Sequence, residues 1–420
     1  MVAVAGAAYA GFAAARLAAF DGDPSAFLVP GDGVLDPASA PDNLGVNHGI
    51  DGYDGQAYYR LARDPLTREL TDHGITWTRP AYWQTRIGYP LASWLLSLGG
   101  REALVPTAMV VVNLLALVAV AGLAARLARE VCGSPWPALV VVLWAGWVIG
   151  LAEDLTEPLA GAFLVAALLA LRRRRWGWAA LALTAAALTR ETSLVLAVAV
   201  SVVAAVGAVA ALLRRSGRSY PPRRGLFPAE AGEIPPLRVG AAPLVAYAAW
   251  RLVVRARWAD VAPDAPGDNI LGWPFVGLLR YLGTALSSPV EHAGNLLPLA
   301  LTLAALGLVV SGLASAYLTF RHATRPDPVP EGQVRDGARP HEWLALAAYL
   351  AVLVCLPVWD RGQAYLRWCC EPVLLGWLLL LAHPRRLRAM ALVVTALWLV
   401  SAVATYDYPG TAGWVPATAR

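Results

Sequence analysis

The chain has 420 residues, of which 58% are hydrophobic and only 15% charged, against about 25% charged in soluble domains. Its 34 basic residues are all arginine and outnumber 29 acids, giving a net charge of +5. That balance excludes a soluble globular fold, and the scatter of the arginines between apolar runs argues against a nucleic-acid surface.

A bilayer core about 30 Å thick needs about 20 helical residues. Inside lipid, each spanning helix must satisfy its own backbone. The sequence therefore predicts an all-α polytopic integral membrane protein with about eleven transmembrane helices, range about 10–13. They fall near residues 2–20, 104–127, 137–152, 157–171, 177–189, 193–213, 239–256, 296–320, 342–358, 372–384 and 389–405. The first run lacks the basic start of a signal peptide; it reads as a membrane helix, with Arg16 snorkelling near its outer end. The short runs 178–188 and 373–381 are expected to tilt or to pair as hairpins. Four cysteines, two of them adjacent, give no disulfide framework.

Arginines concentrate in short loops on the cytoplasmic side of a membrane. With the N-terminus inside, that side takes Arg126, Arg129 and the stretches 172–175, 214–238, 321–339 and 385–388. Arg251, Arg255 and Arg257 fall at the outer end of their helix, against the rule. Segments 214–238 and 321–341, rich in Pro, Gly and Arg, read as cytoplasmic linkers within a single transmembrane domain covering 1–420. The outer face then holds the largest loop, 21–103, carrying surface helices. Residues 21–48 of it are Pro-, Gly- and Asp-rich and read as irregular. Asp54 is placed to cap a short helix that Pro65 ends. Tyr58, Leu61 and Ala62 share one face of it, predicting a helix lying on the membrane surface; a second such piece covers 89–98.

No P-loop, Cys-x-x-Cys, His-Glu-x-x-His or Gly-x-Ser-x-Gly occurs, so nothing points to nucleotide-driven coupling within the chain. What remains is acids and arginines at the outer boundary. Asp51 and Asp54 lie in a glycine-rich turn, where a carboxylate could take a proton from a sugar hydroxyl; the bland reading is a turn residue and a cap. Glu153-Asp154-Leu-Thr-Glu157-Pro158 sets three carboxylates at a membrane boundary, costly unless used or paired; the bland reading is acids favoured by a helix start. Arg190 and Glu191 split one long apolar stretch, and demand a partner or a wet cavity unless they form a tight outer turn. Trp359-Asp360-Arg361-Gly-Gln-Ala-Tyr365-Leu-Arg367 precedes Pro372. Its guanidinium forks suit phosphate oxygens, or they belong to an interfacial belt of Trp, Tyr and Arg. Arg86 has the same two readings. His292 reads as an ordinary loop histidine. Asp51, Asp54 and Glu157 have the oxygen chemistry to hold a hard cation, yet no ligand spacing demands one, and metal stays unassigned.

Tyr53-Asp54-Gly55-Gln56-x-Tyr58-Tyr59, followed by Arg86-x-x-Tyr89-Pro90, resembles the bacterial membrane proteins linked to cell-surface glycopolymer formation. It also resembles the Trp-Asp-Gly-x-x-Tyr element of GPI-type mannosyltransferases, within the GT-C glycosyltransferases. Arg367 with Pro372 is similar to the late Arg-Tyr-x-x-Pro element of that superfamily, with Trp368 for the Tyr and the Pro one residue later. The resemblance implies an inverting glycosyltransferase that moves a sugar from a polyprenyl-phosphate carrier to an envelope glycan, lipid or protein at the outer face of a bacterial plasma membrane. It assigns Asp54 as general base, with Asp51 beside it. Gln56, Tyr58, Tyr59, Arg86, Glu157, Arg190, Glu191, Tyr365 and Arg367 are the expected substrate-binding residues. The lipid-linked sugar is the substrate and no cofactor is implied; the expected partners are the bilayer, that carrier and the acceptor, with no nucleic acid. The alternatives are a transporter or flippase of a lipid-linked or anionic substrate, and a non-catalytic subunit of a glycopolymer assembly complex.

Overall fold

The computed structural model describes residues 1–77, 79–215, 234–261, 271–288, 292–322, 339–357, 359 and 364–419. Most of linkers 214–238 and 321–341, together with Asp360 and Arg361, lie outside the described residues. The described residues are mainly helical with almost no sheet, and among them six helices are long and apolar enough to cross a membrane. The chain is a multi-pass α-helical membrane protein.

Helix α1 is Val2–Ala19. The first loop then supplies three short helices, α2 (Asp54–Arg63), α3 (Pro80–Gln84) and α4 (Gly88–Leu96). Helix α5, Val105–Cys132, starts on Pro106, whose missing N–H would have no helical partner there. It stops at Gly133, whose φ of 73° takes the left-handed cap that glycine adopts at least cost. The expected helix over 137–152 is broken into α6 (Leu139–Val142) and α7 (Ala145–Ala152). Two buried indoles hold the break: Trp144 donates to the Leu366 carbonyl at 3.0 Å and Trp147 to the Val141 carbonyl at 2.7 Å. Then follow α8 (Glu157–Arg172), α9 (Trp176–Thr189), α10 (Leu194–Arg215) and α11 (Leu237–Trp258). After α12 (Val276–Ser287) come α13 (Ala293–His322), α14 (Pro340–Val354), α15 (Ala364–Trp368), α16 (Cys370–Leu380) and α17 (Pro384–Thr405).

The helices pack around one large apolar core, and a second, smaller core seats the first loop on α4, α5 and the end of α11. Two sequence expectations change here. Tyr58, Tyr59, Leu61 and Ala62 of α2 are fully buried in the second core, so this helix does not lie on a membrane surface; its apolar face is taken by protein. Arg16 does not snorkel. It is fully buried and donates to the carbonyls of Ala26, Thr405 and Tyr408, each at 2.8 Å, with its guanidinium over Phe20 and Phe27. A buried guanidinium is tolerable when most of its donors are matched, as both Nη atoms are here, although Nε finds no partner among the described residues. Arg16 thus ties α1 to the first loop and to the chain after α17. The same closure continues where β1 (Val46–Asn47) pairs antiparallel with β2 (Trp414–Val415). All four cysteines are free.

Candidate functional site

The polar cluster lies at the end of the bundle that carries the first loop. Five pieces of chain meet there: the start of α2, the α3–α4 link, the start of α8, the α9–α10 link and α15 with the start of α16. Asp54 is the first residue of α2, but the cap position belongs to Tyr53, and no side chain caps the helix. The Asp54 carboxylate is used differently from the cap expected. Its Oδ1 accepts from Trp83 Nε1 at 3.2 Å, and its Oδ2 lies 3.8 Å from Arg367 Nη2. Its side chain keeps 26% of its surface open, so a ligand can reach it.

Arg367 is the hub. Its Nε donates to Glu157 Oε1 at 2.6 Å and its Nη1 to the Tyr53 hydroxyl at 2.7 Å. Arg190 approaches the same Glu157 oxygen at 3.1 Å and Glu371 Oε1 at 3.6 Å. Thr192 donates to that Glu371 oxygen at 2.5 Å. The guanidinium of Arg190 also faces the Trp368 ring. Burial pushes the Tyr53 phenol up against the opposing pull of Arg367. It therefore stays a neutral hydroxyl that accepts from Arg367 and keeps its own proton to give.

Beside this cluster, Arg86 clamps Glu191 with Nε at 2.8 Å and Nη2 at 2.5 Å, and reaches the hydroxyls of Tyr58 and Tyr82 at 3.1 and 2.8 Å. Both members of this pair belong to chain breaks that would strand a charge in lipid if left alone. Gly55 lets α2 sit this close to α7: a Cβ there would lie 2.6 Å from the Glu153 carbonyl and 2.7 Å from that of Leu28.

Of the residues expected from sequence, Asp54, Glu157, Arg190 and Arg367 are joined in one network, with Arg86, Glu191 and Tyr58 adjoining it. The others lie apart. Asp51 is exposed, with its carboxylate against Gly33. Gln56 braces the loop, accepting from Gly31 N at 3.3 Å and donating to Asp51 O at 2.9 Å. Tyr59 bonds Asn43 at 3.0 Å, away from the cluster. Tyr365 is buried and stacked on Trp359. His292 bonds Ser288 O in its own turn and packs its ring edge-on to Tyr281. Sequence reasoning missed Tyr53, Trp83 and Glu371 as members. Tyr53 and Glu371 each adjoin a motif already singled out, which is the signal that could have found them.

The network consumes the guanidinium forks of Arg86 and Arg367, which were expected to face phosphate. Arg251 is differently placed: its Nη1 donates to Thr85 Oγ1 at 3.0 Å, next to Trp250, which lines an apolar groove of about 480 Å³. Ile87, Leu91, Trp94 and Leu188 form other walls of that groove. A second, open cavity of about 570 Å³ lies over Arg68–Thr71 and Val261. Neither borders Asp54. Among the described residues, no group of three or more His, Cys, Asp or Glu is arranged to hold a metal ion. Comparison with protein-family models, curated proteins and solved structures finds no match to this chain.

Proposed function

We propose that the chain is a GT-C-type membrane glycosyltransferase. It would move a sugar from a polyprenyl-phosphate carrier to an envelope acceptor, with the first-loop end of the bundle outside a bacterial plasma membrane. The observation that carries this reading is Asp54: an accessible carboxylate held from one side by the Trp83 indole and from the other by Arg367. It stands where a large loop meets the ends of the apolar helices. A base fixed in this manner is pre-positioned for one proton transfer.

In the reaction, the acceptor hydroxyl attacks the anomeric carbon, and its proton passes to Asp54. The bond from that carbon to the phosphate oxygen breaks, and the polyprenyl phosphate leaves with the electron pair. One displacement inverts the anomeric centre. Arg367 positions Asp54 and Glu157 instead of offering an open fork. The groove beside Trp250 has the apolar walls and the size for part of a prenyl chain, and Arg251 at its side supplies a cation for a phosphate.

The test is turnover of polyprenyl-phosphate sugars by purified protein. Asp54→Asn is expected to lower it by about 10²–10⁴-fold with the melting temperature kept. Undiminished turnover in folded Asp54→Asn removes the base. A transporter reading draws on the buried chain Glu371–Arg190–Glu157–Arg367. It would be supported instead if vesicles holding only this protein move the lipid-linked sugar chemically unchanged.

A further inference from the structure

Two carboxylate oxygens beside Asp54 are buried and have no hydrogen-bond partner among the described residues: Oε2 of Glu153 and Oε2 of Glu157. Glu153 is 8% exposed and Glu157 2%. Glu153 directly follows α7 as its C-cap and Glu157 starts α8, so the tight turn between them sets both acids at the same end of the bundle. The Glu153 carboxyl has Arg367, Arg16, Glu157 and Asp54 as its charged neighbours. Among the described residues no arginine pairs with it: Arg367 holds Glu157, Tyr53 and Asp54, and both Nη atoms of Arg16 donate to main-chain carbonyls. Both arginines that reach Glu157 converge on its Oε1 and leave Oε2 bare. A buried acceptor without a donor is costly, more so when charged, and two of them at the ends of one tight turn call for a donor from outside.

We propose that Glu153 and Glu157 form the subsite that receives hydroxyl groups of a sugar ring. A pyranose or furanose presents adjacent hydroxyl donors, which is what two unsatisfied carboxylate oxygens require. The Tyr53 hydroxyl, which keeps its own proton, supplies the complementary donor. Glu153 is the informative member, since Glu157 also anchors Arg190 and Arg367 and its removal would strand them. This subsite rests on the glycosyltransferase reading for its place in a reaction but not for its binding chemistry.

The experiment uses the whole protein in lipid nanodiscs with saturation-transfer NMR, and as probes the methyl glycosides of glucose, mannose and arabinose. At least one glycoside is expected to bind the wild type. Glu153→Leu should weaken that binding about tenfold or more, the worth of one hydrogen bond to a charged acceptor. Glu153→Gln, which keeps one acceptor, should fall between. Glu153→Leu should not lower the melting temperature, because a buried oxygen without a donor gives way to a group that needs no partner. The proposal is overturned if no glycoside binds the wild type, if Glu153→Leu binds equally well, or if the melting temperature falls with the binding, which marks Glu153 as structural. If Asp54→Asn keeps full turnover while the Glu153 effects hold, the base assignment fails and the subsite stands.

Discussion

The two ends of the bundle handle buried carboxylates in opposite ways. At the end away from the first loop, Glu342 at the start of α14 has both oxygens taken. Arg172 Nε donates to Oε1 at 3.0 Å, while Arg172 Nη2 and the Arg339 backbone N–H both donate to Oε2 at 2.8 Å. Arg339 then caps the end of α8 through the carbonyls of Leu171 and Arg172, and Arg173 pairs with Glu130. Each charge there has a structural use: it ties α8 to α14 or to α5. At the first-loop end, Arg190 and Arg367 share one oxygen of Glu157, while Oε2 of Glu153 and Oε2 of Glu157 stay without donors among the described residues. The closed set reads as a fastener. The open set reads as a site whose missing partner is a ligand, since evolution keeps such costs chiefly where function uses them.

The contrast can be broken most severely at Arg367. Arg367→Ala should cost about 10²–10³ in turnover, because Asp54, Glu157 and Tyr53 lose their common anchor. Arg367→Lys should recover little of it, since one ammonium cannot bridge three partners set around a planar fork. Parallel measurement of turnover and melting temperature decides; a normal rate in Arg367→Lys would show that charge alone suffices. At the closed end, Glu342→Ala should destabilise by about 3–5 kcal/mol by stranding Arg172, seen as a lower melting temperature. Glycoside binding to the fraction still folded should be unchanged. Lost binding in that folded fraction would erase the distinction between the ends.

Orientation sharpens the comparison without altering stability. A single cysteine at Ser39 should label on intact cells with an impermeant reagent, while one at Trp176 should not; the reverse pattern moves the open site to the cytoplasm. The smallest effect is expected on the loop surface, where the His48 hydrogen bond and the Gly49 backbone N–H hold Asp32 below the usual carboxylate range. A depressed carboxyl stabilises above its unfolded pKa of about 3.9 and loses that contribution as acid protonates it in the folded state. Asp32→Asn should therefore lower the melting temperature slightly near neutral pH and leave it unchanged in strong acid. A difference that grows on acidification would contradict the pairing.

Much of the helical pattern was legible because hydropathy is a local property. Each segment's fate in lipid depends on its own residues, so runs such as 193–213 and 389–405 announced α10 and α17 without knowledge of neighbours. Arg190 and Glu191 were legible as charges needing partners for the same reason. Their partners were not. The break at Trp144 depends on a carbonyl in α15, and the fate of Arg16 on carbonyls after α17.

The sequence by itself therefore determined that this is a multi-pass helical chain and which short segments carry unavoidable charge. Only the tertiary structure decided that α2 is buried instead of lying on the membrane, that Asp54 bonds Trp83 and not its own helix, and that Arg367 is held by residues 210 and 314 positions away. Insertion into lipid follows from the free energy of each segment taken alone. Whether a buried charge ends satisfied or waiting depends on which distant side chains the packing brings within about 3 Å.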